Sequence, residues 1–200
     1  MPLIDTQATD ARLRAYAYQH HIHGPDFLVH WWHVVRSHGE TLRMFHEASV
    51  SPFLLAWSQM PLWVIAVADA AWHDGQGIAG VIWSDVYKTT DPDARTSGAC
   101  GGWMRVHFWA APDYRVPRWT TPMATLGINA LFETTGVSVL WGLTPVTNRA
   151  AIAAIRRWGF RQVALWPMAE LDVVNHALVW VDAVFSLLTR EDWHARGQHP

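Results

Sequence analysis

Two apolar runs, Leu62 to Asp69 (LWVIAVAD) and Gly77 to Val86 (GIAGVIWSDV), are separated by a short AWHDGQ segment, and this arrangement limits the fold more than any other feature. The Asp74-Gly75 pair supplies a turn, so the two runs are expected to pair as an antiparallel hairpin inside a larger sheet. A third strand follows at Trp103 to Ala110. Along it Met104, Val106, Phe108 and Ala110 take one face while Trp103, Arg105, His107 and Trp109 take the other, the period of two that a strand imposes. Arg12 to Gln19 has the same alternation in weaker form and reads as a strand, with a short helix as the alternative.

Helices are punctuated by caps and prolines. Pro25 opens PDFLVHWWHVVRSHG, which places Phe27, Trp31, Val34 and Val35 on one side and ends at Gly39. Ser51-Pro52 starts a second helix, which ends near Met60-Pro61. Thr121-Pro122 starts a third, with a stripe of Met123, Leu126, Ala130 and Leu131 that stops before Gly136. Asn148 caps a fourth, whose buried face is Ala151, Ile152, Ile155 and Trp158 before Gly159. Strands are expected at Val137 to Leu143, Gln162 to Trp166 and Ala177 to Phe185. The expected fold class is α/β: a mixed, mostly antiparallel, twisted sheet of about seven strands with helices on both faces.

Half of the 200 residues are apolar, enough for one core, and residues 1–200 are expected to form one domain. Fifteen basic against seventeen acidic side chains lack the cationic excess of a nucleic-acid binder, so no nucleic-acid partner is expected. Cys100 is the only cysteine, which excludes an intramolecular disulfide and a cysteine-built zinc site, and a reducing cytoplasm fits it best. Asp5, Asp10 and two arginines interrupt the N-terminal segment where a secretory peptide needs an apolar core. The longest apolar stretch, Leu62 to Trp72, contains Asp69 and falls short of the roughly 20 residues that span a bilayer, so no membrane insertion is expected. The 14 Trp residues have no fixed period and read as core and rim aromatics. His20, His21, His23, His30, His33 and His38 form a cluster in which His30 and His33 share a helical face. No acidic or cysteine partner follows at a fixed spacing, so the cluster reads as an exposed, titrating patch and no metal site is assigned.

Two segments carry a family resemblance. APDYRVPRWT (residues 111–120) looks like the end of a strand followed by an Arg/Gln-x-x-Gly-x-Gly/Ala phosphate loop. NRAAIAAIRRWGF, Asn148 to Phe160, matches a helix signature in its Asn, the Ala three residues on and the closing Gly-Phe. With the element order, these resemble a divergent member of the GNAT superfamily of acyl-CoA-dependent N-acyltransferases over about residues 12–185. Arg118 and Thr120 stand where that family has its two glycines, and Pro117 removes an N–H from the loop. Arg115 and Arg118 bring two guanidinium groups to the same place.

The resemblance implies acetyl-CoA or another acyl-CoA as co-substrate. It would be held by Phe108, Trp109 and Ala110 of the strand, by Arg115, Val116, Pro117, Arg118, Trp119 and Thr120 of the loop, and by Asn148. It further implies a small-molecule or peptide amine as acceptor, with direct attack in a ternary complex; a homodimer is open. Ile155 occupies the position of the family's Tyr acid. His107 is the candidate base, since it alone on its strand has a suitable intrinsic pKa, and Asp85 and Tyr87 are secondary candidates. Arg105 on the same face would favour the neutral form of His107 that a base needs. Ile155, Arg118 and Thr120 equally suit a catalytically silent relative that binds CoA or a partner or serves as a structural subunit. A histidine-rich, metal-responsive module is the third reading.

Overall fold

The structure is a computed structural model that describes residues 3–4, 13–19, 24–47, 49–58, 63–69, 78–88 and 101–197. Within these, only the backbone is described for residues 3–4, 14–17, 19, 58, 63–69, 85–88 and 197.

Among the described residues eight strands form one sheet in the order β1-β2-β3-β4-β5-β6-β8-β7. They are β1 (Leu3–Ile4), β2 (Leu13–Gln19), β3 (Trp63–Asp69), β4 (Ile78–Lys88), β5 (Trp103–Ala110), β6 (Val139–Pro145), β7 (Arg161–Val174) and β8 (Ala177–Thr189). The expected seven are all present, and β1 is a two-residue addition at one edge. The two apolar runs pair antiparallel, with Trp63 opposite Ser84 and Ile65 opposite Ile82. The turn expected at Asp74-Gly75 lies outside the described residues. All neighbours are antiparallel except β5 and β6, the one parallel pair.

The alternation along β5 sorts two clusters onto the two sheet faces. On one, Met104 and Ala110 join Met123, Leu126, Leu131 and Phe132 of helix α4 (Pro117–Thr135), together with Leu140, Trp158 and Leu188. On the other, Trp109 and Trp83 join Trp31, Trp32, Phe45, Phe53 and Trp57 from α1 (Asp26–Ser37), α2 (Thr41–Phe45) and α3 (Val50–Ser58). The second cluster is built on edge and tilted ring contacts: Trp31 meets Phe45, Trp57 and Trp83 with centroids 5.0, 5.3 and 5.1 Å apart. Each such contact adds roughly 0.5–1.5 kcal/mol beyond area burial, which is where much of the tryptophan content is used. Two further helices among the described residues are α5 (Arg149–Arg157) and α6 (Arg190–Gly197). Trp193 of α6 donates to the Asn129 side chain of α4 at 2.6 Å.

Four expectations are corrected. Helix α4 begins at Pro117 rather than at Thr121-Pro122, so Pro122 lies inside it. Proline at the first helical position lacks only an N–H that would have no intrahelical partner, so Pro117 is the better start. α2 was not expected, being a five-residue helix with too short a stripe to read. β7 runs on to Val174 past Pro167, because a register shift between Trp166 and Glu170 absorbs the proline and Met168 adopts φ 48° there. β8 continues to Thr189, and Asn175 and His176, both at positive φ, make the tight turn between the two.

Of the histidine cluster, His30 and His33 lie on α1, His38 closes it, and His20, His21 and His23 lie outside the described residues. Among the described residues no three His, Cys, Asp or Glu side chains converge as a metal site. No helix among them is long and apolar enough to cross a membrane.

Candidate active site

The parallel pair β5–β6 comes apart. Trp103 pairs with Val139, Met104 with Leu140 and Arg105 with Trp141; beyond these no residues pair, although β5 continues to Ala110 and β6 to Pro145. The two strands therefore diverge from an apex at Arg105 and Trp141 and leave a cleft between them. Gly142 sits just past the apex, where a Cβ would lie 3.1 Å from the Val106 carbonyl oxygen. Glycine here spares the strands a tight Cβ contact as they converge before parting.

One end of the cleft leads to the start of α4. After β5, Pro112–Tyr114 forms a single 3-10 turn and Val116 caps α4 with extended backbone and no side-chain cap. Residues 117–120 are thus the first helical turn rather than a loop, and its positive end carries no side-chain acceptor. Arg118 is exposed there, lies 5.8 Å from the Trp119 ring, and makes no ion pair among the described residues. Arg115 is committed elsewhere: it donates to the Ala110 carbonyl at 2.9 Å and to the Glu40 carboxylate at 2.5 Å. The same Glu40 oxygen accepts from buried Trp109 at 2.8 Å. Desolvation would raise the Glu40 pKa, but hydrogen bonds from Arg115 and Trp109 and the charges of Arg115 and His38 outweigh it and hold the carboxyl below its usual value. Thr120 is buried and its hydroxyl donates back to the Val116 carbonyl. Of the loop residues proposed for phosphate, Arg118 alone has a cation not already spent on the protein.

On the sheet face shared with α1–α3, His107 lies flat on Trp83, with centroids 5.0 Å apart at 13°. Arg105, two residues earlier on that face, passes over the Trp141 ring at 5.6 Å and pairs with Glu170 of β7 at 2.5 Å. His46, in the left-handed conformation at the end of α2, is near enough to feel Glu170, His107, Arg105 and Glu47. Desolvation first, then the His107 and Arg105 charges, lower its pKa, with Glu170 and Glu47 opposing. A carboxylate and a guanidinium thus pair beside the apex of the cleft, with the His46 and His107 imidazoles close enough to act electrostatically on one another. Neither Glu170 nor His46 was expected from the sequence. Glu170 lies beyond Pro167, where β7 seemed finished, and His46 follows the unrecognised α2.

The remaining candidates fall in different places. Asp85 and Tyr87 lie on β4 beside a register shift between Trp83 and Val86, with Tyr87 opposite Met104, and their side chains are outside the described residues. Phe108 is half-buried against Trp158, 4.6 Å between centroids, on the α4 side of the sheet. Asn148 accepts from the Ala151 N–H at 3.1 Å and so caps α5. Ile155 packs into the core beneath α5.

No family model matches the sequence, and no curated protein matches it. Solved structures do match in three dimensions. A spermidine N-acetyltransferase from Vibrio cholerae, solved with CoA and spermine, superposes with a TM-score of 0.65 at 12% identity, covering 92% of this chain and 99% of that one. A ribosomal-protein-S5-alanine acetyltransferase from Vibrio fischeri gives 0.63 at 11% identity, covering 96% and 99%. An acetyltransferase of the GNAT family from Bacillus anthracis gives 0.58 at 10%, covering 92% and 98%. The fold is that of the GNAT acetyltransferases.

Within the GNAT fold, the diverging β5–β6 pair and the start of α4 are the elements that the two sequence segments 111–120 and 148–160 flank. The glycine-poor turn of this chain is accommodated because residues 117–120 are helical, where Arg118 and Thr120 need no positive φ.

Proposed function

We propose that the protein is an acyl-CoA-dependent N-acyltransferase. The single observation that carries the reading is the parting of β5 and β6 beyond Arg105 and Trp141, next to a helix N-terminus whose Arg118 makes no ion pair among the described residues. The residues present suit such a co-substrate. Gly142 keeps the apex narrow, the strand edges past it offer peptide groups to an extended amide-bearing arm, and Arg118 with the first turn of α4 offers charge to a pyrophosphate. Phe108 to Ala110 and Val116 to Trp119 would line that path. Arg115 acts as a strut through Glu40, Thr120 is turned onto its own helix, and Asn148 holds α5 in place.

The acceptor amine would approach from the face that carries His107, Arg105 and Glu170. Its nitrogen attacks the thioester carbonyl carbon, the C–N bond forms, the C–S bond breaks, and the ammonium proton passes to a base while the thiolate takes one up. His107 is the base we assign, with Asp85 and Tyr87 as secondary candidates. Ile155 cannot donate a proton, so the departing thiolate takes its proton from water. The acceptor is a small-molecule or peptide amine, acetyl-CoA is the donor we favour, and the lone Cys100 suits a cytoplasmic setting. A homodimer has in its support the open edge of β7, where Val163, Leu165 and Met168 are exposed.

A catalytically silent relative is the second reading, favoured by Ile155 and by the engagement of Arg115 with Glu40. A thiol-release assay with acetyl-CoA and a panel of primary amines separates the two. Amine-dependent release that Arg118→Ala slows through a higher KM for acetyl-CoA supports the acyltransferase. Tight acetyl-CoA binding without release from any amine supports the silent relative.

A further inference from the structure

A cavity of about 500 Å³ lies between α4, the end of α5 and α6, within the range of roughly 300–1,000 Å³ that small-molecule sites occupy. Helix α6 forms one wall and is fixed at two points. Arg190 at its start donates to the Val137 carbonyl at 3.1 Å and to the Phe132 carbonyl, and Trp193 donates to Asn129 Oδ1 at 2.6 Å. The wall is therefore preset before any ligand arrives.

Two guanidinium groups line this cavity and, among the described residues, no carboxylate does. Arg157 ends α5 and Arg196 lies on α6; both are exposed, and neither makes an ion pair among the described residues. Arg196 is seated on the backbone of Gly159, where a Cβ would lie 2.6 Å from its Cζ. Arginines near a helix end often answer its last carbonyls. Those of Ala154, Ile155 and Arg156 already accept from the N–H groups of Trp158, Phe160 and Gly159 at 3.0, 3.0 and 3.1 Å, so that task is done without them. Neutral donors stand in the same walls. His194 adds a ring N–H, and Asn129, whose oxygen is taken by Trp193, keeps its amide N–H groups for another partner. Trp158, only 7% exposed, has a buried indole N–H with no acceptor among the described residues. Unmatched cations and an unmet donor lining one cavity call for an acceptor that carries negative charge.

We propose that the α4–α5–α6 cavity binds a small phosphate monoester, held by Arg157 and Arg196. Such a group carries about −1.5 to −2 charge at neutral pH and three acceptor oxygens, which matches two guanidinium forks. A carboxylate would leave one of them unmatched. The cavity is larger than a bare ion needs, and the half-buried Trp193 gives its organic part an apolar wall. Arg118 and the edges of β5 and β6 do not line it, so the site is separate from the cleft and holds whether or not the cleft takes acyl-CoA.

Calorimetric titration of the full chain with phenyl phosphate, inorganic phosphate and benzoate, with and without saturating CoA, tests this. The expected result is saturable, one-to-one binding of phenyl phosphate, at least tenfold tighter than benzoate, with inorganic phosphate competing for the same site and CoA leaving the affinity unchanged. Arg157→Ala and, separately, Arg196→Ala should each weaken phenyl phosphate about fivefold to tenfold, the scale of one charge-assisted contact discounted for exposure. Both side chains are exposed, so neither change threatens the core. Arg36→Ala, an exposed arginine on α1 across the sheet, should change nothing and so separates a site from general attraction to cations. No saturable heat at millimolar phenyl phosphate, benzoate binding as tightly, indifference of both cavity variants, or an equal loss in Arg36→Ala would overturn the proposal. Displacement by CoA would overturn it too, by giving the cavity to the co-substrate. If phenyl phosphate binds as described and neither CoA nor acetyl-CoA binds, the cavity site stands and the acyltransferase reading fails.

Discussion

Glu40 ties three parts of the molecule together, and removing its charge has a size that follows from the geometry. It sits between α1 and α2, accepts from buried Trp109 of β5, and pairs with Arg115 just ahead of α4. Its side chain is 17% exposed, whereas Arg115 is 44% exposed. The Trp109 bond is a charge-assisted contact to a buried donor, worth about 1.5–2 kcal/mol; the Arg115 contact is discounted for solvent to about 0.5 kcal/mol. Glu40→Ala should therefore cost about 2 kcal/mol, and Glu40→Gln, which keeps an acceptor, about 1 kcal/mol. For a chain of this size that is a fall in Tm of about 4–8 °C for the alanine variant. Because the folded carboxyl titrates below its usual value, the stabilisation is complete above about pH 5 and is lost as pH falls through the folded pKa. Urea unfolding at pH 7 and pH 3.5 should thus show the Glu40→Gln deficit shrinking in acid. Since Glu40 and Arg115 work as one strut, the double variant Glu40→Gln/Arg115→Ala should cost less than the sum of the singles by about 0.5 kcal/mol. A deficit unchanged between the two pH values, together with strictly additive costs, would refute the strut and return Arg115 to the phosphate-binding group.

Two tightly packed glycines, Gly80 and Gly127, should separate by what surrounds them. A Cβ on Gly80 would lie 2.8 Å from the Trp109 carbonyl oxygen, which is backbone, so Gly80→Ala should cost about 3 kcal/mol in urea unfolding. On Gly127 it would meet the movable Cδ1 of Ile82 at 2.1 Å, and helix propensity returns part of the cost, leaving a net loss of about 1 kcal/mol; a larger loss than at Gly80 would contradict the packing described. Arg118→Ala should weaken acetyl-CoA binding by about 1.5 kcal/mol, and an unchanged affinity would show that the first turn of α4 is not where the pyrophosphate lies. If His107 is the base, His107→Gln should lower kcat/KM about a hundredfold or more and abolish the acidic limb of its pH profile, while a retained limb would move the assignment to Glu170 or Asp85.

Local chemistry made most of the fold legible. Alternation fixed the faces of β5 so that Trp109 and Ala110 were correctly sorted to opposite clusters, and Asn148 was read as the cap it is. What escaped was set by tertiary contacts. Pro117 and Pro122 can each take the first helical position, and the helix starts at the first of them, with Thr120 and Met123 buried in its opening turns. β7 passes Pro167 because β8 pairs with it on both sides of the bulge, a partner that single-sequence patterning does not see. The candidate site meets the same limit: His107 and Arg118 could be put forward as candidates from their places on the strand and in the 115–120 segment, whereas Glu170 reaches Arg105 across 65 residues and Glu40 reaches Arg115 across 75.

The most direct test of the account is a calorimetric titration of the intact chain with acetyl-CoA and with CoA. A CoA moiety lying between β5 and β6 predicts saturable, one-to-one heat for both, at dissociation constants well below a millimolar. The absence of heat at millimolar ligand would contradict the acyl-CoA reading and leave the GNAT fold serving another purpose.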